Sequence, residues 1–259
     1  MSIVLCEDRG PVRHVVINRP EKRNALNAEV IAALHEAFAD AAGDRDVTCV
    51  VVRGAGPMFS SGMDFAALGA LAADPGGLHA LRRPILAAWN LLEEMPKPTI
   101  AQIHGACLGG AMELALACDL RTMAADAIMG LPETRIGLIP DVGGSSRLPS
   151  VVGLGRAKEL IMTSKLVDGT EAERIGLVNR VAAADDLDAA TDTLVGELLQ
   201  CAPVAVAHAK RVIDAAAKPA LGVTLELEVT AQAVCAATED FAEGARAFAE
   251  KRQPAFSGR

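Results

Sequence analysis

Two carboxylates between Gly105 and Arg147 sit in surroundings suited to acid/base chemistry. Glu113 interrupts the apolar run Ala111 to Ala117, which is rich in Ala, Met and Leu, all strong helix formers. A surface helix keeps a polar face, and this run has none apart from Glu113, so it predicts a buried helix. A carboxylate there must be paired, hydrogen-bonded or protonated. The raised pKa that burial brings is also what a general acid or base needs at neutral pH. A structural partner for Glu113 satisfies the same pattern. Glu133 follows Pro132, twenty residues further on. If residues 120–130 return beside the helix, the two acids face one substrate from two sides. Otherwise Glu133 pairs with Arg135 or Arg121 at the surface.

Glycines accompany both acids. Gly109 and Gly110 stand just before the helix, where the free N–H groups of a first turn favour negative charge. A developing oxyanion fits there, and so does a plain turn. Met63 follows Gly62 in the turn-rich loop 54–64; it either donates its backbone N–H to the same anion pocket or fills a gap. Asp141 lies in a Pro-Asp-Val-Gly-Gly turn, where an aspartate ordinarily bonds its own backbone or caps a helix. Asp64 reads as a cap for the segment after it, and His104 as a satisfied core histidine. Ser60 and Ser61 have no histidine at motif spacing, and Gly54-x-Gly56 lacks the rest of a dinucleotide or P-loop pattern.

The elements that must hold these residues follow from periodicity. Apolar, β-branched runs predict strands at 12–17, 47–52 and 99–103, the second of them buried on both faces. Shorter strands are expected at 120–124, 127–130 and 177–181. Helices are expected at 28–42 with Asn27 as N-cap, and at 78–95, 145–151, 155–162 and 170–176. Residues 65–77 are rich in Ala and Gly and read as a lid or an irregular helix. After Asp185 come four helical patterns, at 187–199, 203–216, 221–237 and 239–249. Strands alternating with helices, then a helical tail, predict an α/β core over 1–195 and a C-terminal helical region over 196–259.

Composition narrows the function. The chain has 259 residues, 51% hydrophobic and 3% aromatic, which is enough for one large aliphatic core. A net charge of −8 without a basic stripe disfavours a nucleic-acid partner. No apolar run approaches the ~18 residues of a membrane span, and no signal-peptide pattern opens the chain. The six cysteines are scattered, with no CxxC and no zinc-like cluster, as expected of reduced thiols in a cytoplasmic protein that binds no metal.

Five stretches together resemble the enoyl-CoA hydratase/isomerase (crotonase) superfamily over essentially the whole chain: NRPEKRNALN (18–27), FSSGMDFAAL (59–68), IHGACLGGAMELALACDL (103–120), LPETRIGLIPDVGGSSRLP (131–149) and RQPAFSGR (252–259). The resemblance implies a ClpP-like spiral of repeated β-β-α units with a C-terminal helical region. It implies homotrimers, often stacked as hexamers, and an acyl-CoA thioester as substrate with no permanently bound cofactor. It implies an oxyanion hole made by the N–H groups of Met63 and Gly110, and the paired glutamates of a hydratase at Glu113 and Glu133. The implied reaction is syn addition of water to a trans-2-enoyl-CoA. Arg23, Ser61, Lys210 and Phe256 map to contacts with the CoA moiety, and the loop 66–84 to the border of the acyl tail. Two positions depart from the hydratase pattern. Met63 stands where a small residue is usual. Asp141 stands where Gly is common, and resembles the acid of dienoyl-CoA isomerases. A double-bond isomerase using Glu133 and Asp141 is therefore the alternative, and a non-catalytic acyl-CoA-binding protein a more distant one.

Overall fold

In chain order the strands are β1 (Val4–Arg9), β2 (Val12–Ile17), β3 (Cys49–Gly54), β4 (Thr99–Ile103), β5 (Ala106–Leu108), β6 (Leu120–Ala124), β7 (Ile128–Gly130), β8 (Val167–Asp168) and β9 (Arg180–Ala182). The helices are α1 (Ala28–Gly43), α2 (Leu78–Glu94), α3 (Gly110–Ala117), α4 (Gly144–Val152), α5 (Leu154–Met162) and α6 (Gly169–Arg174). Four more close the chain: α7 (Leu187–Leu199), α8 (Pro203–Ala217), α9 (Leu221–Ala236) and α10 (Glu239–Ala249). The structure is a computed structural model that describes residues 2–64 and 78–259, and the expected lid at 65–77 lies outside them.

A six-stranded sheet runs β1-β2-β3-β4-β6-β9, and a three-stranded sheet runs β5-β7-β8. In the large sheet β1 is antiparallel to β2 and every other pair is parallel. Burial on both faces explains its continuous apolar strands. Val15, Ile17, Val50, Val52, Ala101 and Ile103 point into the main core, which α1, α2 and α3 complete. The alternate residues Val12, Cys49, Val51 and Ile100 are covered from the other side by Leu194 and Val195 of α7. Residue 195, the expected boundary of the core, is thus itself packed on the sheet.

Three strands escaped the sequence pattern. In β1 only Val4 is buried, so no alternation marks it. β5 and β8 are too short to show a period. The last strand was expected at 177–181 and lies at 180–182. Leu177 and Val178 are buried because they turn back on α6, both amides donating to the Ala172 carbonyl. His104 is half-buried at a surface turn rather than in the core, its Nε2 2.9 Å from the Gly56 carbonyl oxygen.

Candidate active site

The small sheet sets up the site. β5 ends at Leu108, Gly109 turns the chain with φ +55°, and α3 begins at Gly110. The Gly109 amide donates to the Gly130 carbonyl at 2.9 Å, which ties the start of α3 to the end of β7. Glu113 therefore enters in the first turn of α3, near the positive end of the helix, and is 2% exposed. Its Oε1 accepts from the amides of Val142 at 2.9 Å and Gly144 at 2.8 Å. β7 delivers the chain to a 3-10 turn over Glu133–Ile136. Glu133 lies directly across Gly109: a Cβ built on that glycine would stand 2.8 Å from Glu133 Oε1. The other oxygen, Oε2, is buried without a hydrogen-bond partner. Neither arginine considered as its partner reaches it. Arg121 is buried, donating to the carbonyls of Ala115, Cys118 and Leu177, and Arg135 is exposed.

The loop with Met63 docks against the same glycines. Leu26 N donates to Gly62 O and Asp64 N to Leu26 O, both at 2.8 Å, while Ser60 bridges Cys107 of β5. A Cβ on Gly62 would fall 2.5 Å from the Leu108 carbonyl oxygen and 3.5 Å from the Gly110 nitrogen. Only glycine allows that approach, and its φ of +91° also favours glycine. The Met63 side chain rests on Gly110, whose virtual Cβ is 3.2 Å from Met63 Cγ. Among the described residues the amides of Met63 and Gly110 donate to nothing. Glu113, Glu133, Asp141, Ser61, Met63 and Gly110 all line one cavity of about 410 Å³.

Three acids in one largely apolar cavity cannot all ionise freely. Burial pushes Glu133 up to about 8, with the Asp141 charge adding to it. Burial likewise pushes Asp141 up to about 7, against the pull of Arg82, whose Nε is 3.8 Å from Asp141 Oδ2. Glu113 is raised by burial and by Glu133, Asp141 and Glu228, while the Gly144 amide opposes the rise. Between the two glutamates, the paired amides favour the charge on Glu113 and the partnerless oxygen favours the proton on Glu133.

The other expected CoA contacts, Arg23, Lys210 and Phe256, do not line this cavity. Arg23 occupies a left-handed turn, and its carbonyl accepts from Ser61 N at 3.0 Å. Lys210 pairs with Asp119 at 2.9 Å. Phe256 lines a separate cavity that shares Arg135, Ile136 and Phe248 with the first. Asp64 lies 3.5 Å from Arg19 Nη1. Sequence reasoning missed Arg82, Glu228 and Gln232. Gln232 Oε1 accepts from Ile139 N at 2.8 Å, and Glu228 is 4% exposed. The buried residues of α9 are Leu225, Glu228, Val229, Gln232 and Ala236, an i, i+3, i+4, i+7 stripe. A carboxylate and an amide on the inward stripe of a helix were the signal available.

Known proteins resemble this chain over nearly its whole length. A family model described as enoyl-CoA hydratase/isomerase matches residues 7–259. The putative enoyl-CoA hydratase/isomerase YngF of Bacillus subtilis is 37% identical over 94% of each chain. The crotonyl-CoA hydratase of Syntrophomonas wolfei is 34% identical over 98% of this chain and 97% of its own. Among solved structures, an enoyl-CoA hydratase from Mycobacterium avium subsp. paratuberculosis superposes with a TM-score of 0.88 at 32% identity, covering 99% of both chains.

Proposed function

The chain belongs to the enoyl-CoA hydratase/isomerase family, and from that premise we propose that it is an enoyl-CoA hydratase, adding water syn across a trans-2-enoyl-CoA to give the 3-hydroxyacyl-CoA. The observation that carries this reading is the meeting of Glu113, Glu133 and the two unengaged amides of Met63 and Gly110 on one cavity. The thioester oxygen would accept from those amides, where negative charge grows as the enolate forms. Glu113, with Oε1 held by two amides, would grip water through its other oxygen and take a proton as the water oxygen bonds to C3. Glu133, protonated at neutral pH with its pKa near 8, would give its proton to C2. Return of one proton from Glu113 to Glu133 resets the pair, so the sum is addition of one water molecule.

The same reading makes the working form a homotrimer or a dimer of trimers, with residues 196–259 taking part in assembly and in closing the site. It needs no cofactor beyond the CoA of the substrate, with Arg23 and Ser61 at the CoA end. The six free thiols fit a cytoplasmic setting. No helix among the described residues is long and apolar enough to cross a membrane. One observation favours a second reading: Asp141, poised near 7, lines the same cavity and could exchange a proton with the substrate beside Glu133, as double-bond isomerisation requires.

Loss of the conjugated-thioester absorbance of crotonyl-CoA tests the proposal. Replacing Glu113→Gln is expected to lower kcat by about 10²- to 10⁴-fold, the usual contribution of a positioned acid/base group. Near-parental turnover by that variant overturns the assignment. Turnover of a 3-enoyl- or 3,5-dienoyl-CoA that is lost in Asp141→Asn supports isomerisation instead, and absence of any turnover leaves an acyl-CoA-binding protein.

A further inference from the structure

The turn from Pro140 to Ser146 is gripped from two sides. Its amides alternate between two carboxylates. Val142 and Gly144 donate to Glu113 Oε1 at 2.9 and 2.8 Å. Gly143 donates to Glu228 Oε2 at 2.9 Å, and Ser146 to Glu228 Oε1 at 2.7 Å through its amide and 2.6 Å through its hydroxyl. Arg82 of α2 completes the set, 3.4 Å from Glu228 Oε2 and 3.8 Å from Asp141 Oδ2, and it also donates to the Asp141 carbonyl. Every partner of the Glu228 carboxylate is a donor, which is the pattern of the anion. Glu228 does not line the cavity that holds the other three acids.

We propose that Glu228 is a positioning residue: by holding the alternate amides of this turn, and Arg82, it fixes the carboxylate of Glu113 and the place of Asp141 without touching substrate. This rests on the reading of Glu113 as the acid that holds water. Two amides on one oxygen set the rotation of the Glu113 carboxylate, and leave the second oxygen for the cavity. They stay there only while the turn stays. Glu228 supplies the opposing grip, since Gly143 would otherwise be a buried amide without a partner. The charged groups around Glu228 and the turn it holds are Arg82 from α2, Asp141 of the turn, Glu113 from α3 and Arg147 from α4, whose Nη1 donates to the Val142 carbonyl at 3.2 Å. The Glu228 charge adds to the upward push on both Glu113 and Asp141.

Glu228→Ala removes the acceptor of the Gly143 and Ser146 amides, and kcat on crotonyl-CoA is expected to fall about 100-fold with KM within a few-fold, the cost of misplacing a reacting group by about an ångström. Glu228→Gln keeps an acceptor oxygen and should recover roughly a tenfold part of that loss. It also removes the charge, so the kcat/KM–pH profile must move to lower pH. The carboxyl ¹³C titrations of Glu113 and Asp141 in the ligand-free protein must move the same way, which a merely structural role would not produce. That titration needs no turnover: a parent that fails to hydrate sinks the hydratase reading, while the titration still judges Glu228. Unshifted titrations in Glu228→Gln, or kcat falling only in step with the folded fraction reported by the single tryptophan, Trp89, overturn the proposal. Should Glu228→Ala not fold, Ser146→Ala, which removes one donor, takes its place; parental kcat in both Ser146→Ala and Glu228→Gln likewise overturns it.

Discussion

At the residue scale the two glutamates differ in what surrounds their oxygens, and the difference is measurable without substrate. Glu133 has a buried oxygen with no donor, and burial pushes its pKa to about 8 from the ordinary 4.5. Below about pH 4 both folded and unfolded chains hold this proton, and the group costs nothing. As pH rises the unfolded chain releases the proton first, so stability is lost progressively until the folded group also ionises, near 8. Replacing Glu133→Gln removes that loss. Melting curves of the two proteins should coincide near pH 4 and separate by roughly 5 °C or more above pH 8, with the variant the more stable, since ~1 kcal/mol moves Tm by ~2–4 °C at this size. Parallel curves across the range would show that the folded Glu133 titrates as a solvated carboxyl. How much of this was legible depended on the residue. An acid in an apolar helix announces Glu113 directly. The state of Glu133 depends on where β7 ends and on the bare surface of Gly109, and spacing carries neither.

At the scale of elements the sequence reveals the long apolar strands and the amphipathic helices, because each carries its own period. It hid contacts made through missing side chains. The turn Glu133–Ile136 is held against α10 by two glycines in near backbone-to-backbone contact. A Cβ on Gly244 would meet the Ile136 carbonyl carbon and oxygen at 2.6 Å, and one on Gly137 would meet Phe241 backbone atoms at 2.8 Å. Backbone on both sides leaves nothing flexible to give way. Gly244→Ala is therefore expected to destabilise the protein by about 1–3 kcal/mol despite alanine's better helix propensity, and to lower turnover by shifting the turn that carries Glu133. Gly196→Ala in α7 is the control: its Cβ meets nothing within 4 Å, so it should stabilise by about 0.5–1 kcal/mol. Denaturant melts of both variants check the sign of each effect. A neutral or stabilising Gly244→Ala would mean that α10 is free to move away from the site.

At the scale of the whole molecule α9 faces two ways. Its inner stripe carries Glu228 and Gln232, which hold the turn behind Glu113. Its outer stripe carries Val223, Leu227 and Val234, exposed by 66, 61 and 66% and spaced to share one helix face. A helix apolar on both sides is a helix meant to be covered on both sides. The trimer or hexamer proposed above would cover the outer stripe with another copy of the chain. Sedimentation equilibrium should then give the parent a mass three or six times the 26.8 kDa of one chain, and Leu227→Arg should shift it towards the single chain. Because the same helix braces the active site from within, the dissociated variant should also lose turnover, in proportion to the fraction dissociated. A parent that sediments as one chain with full activity would mean that α9 braces the site without help from a neighbour.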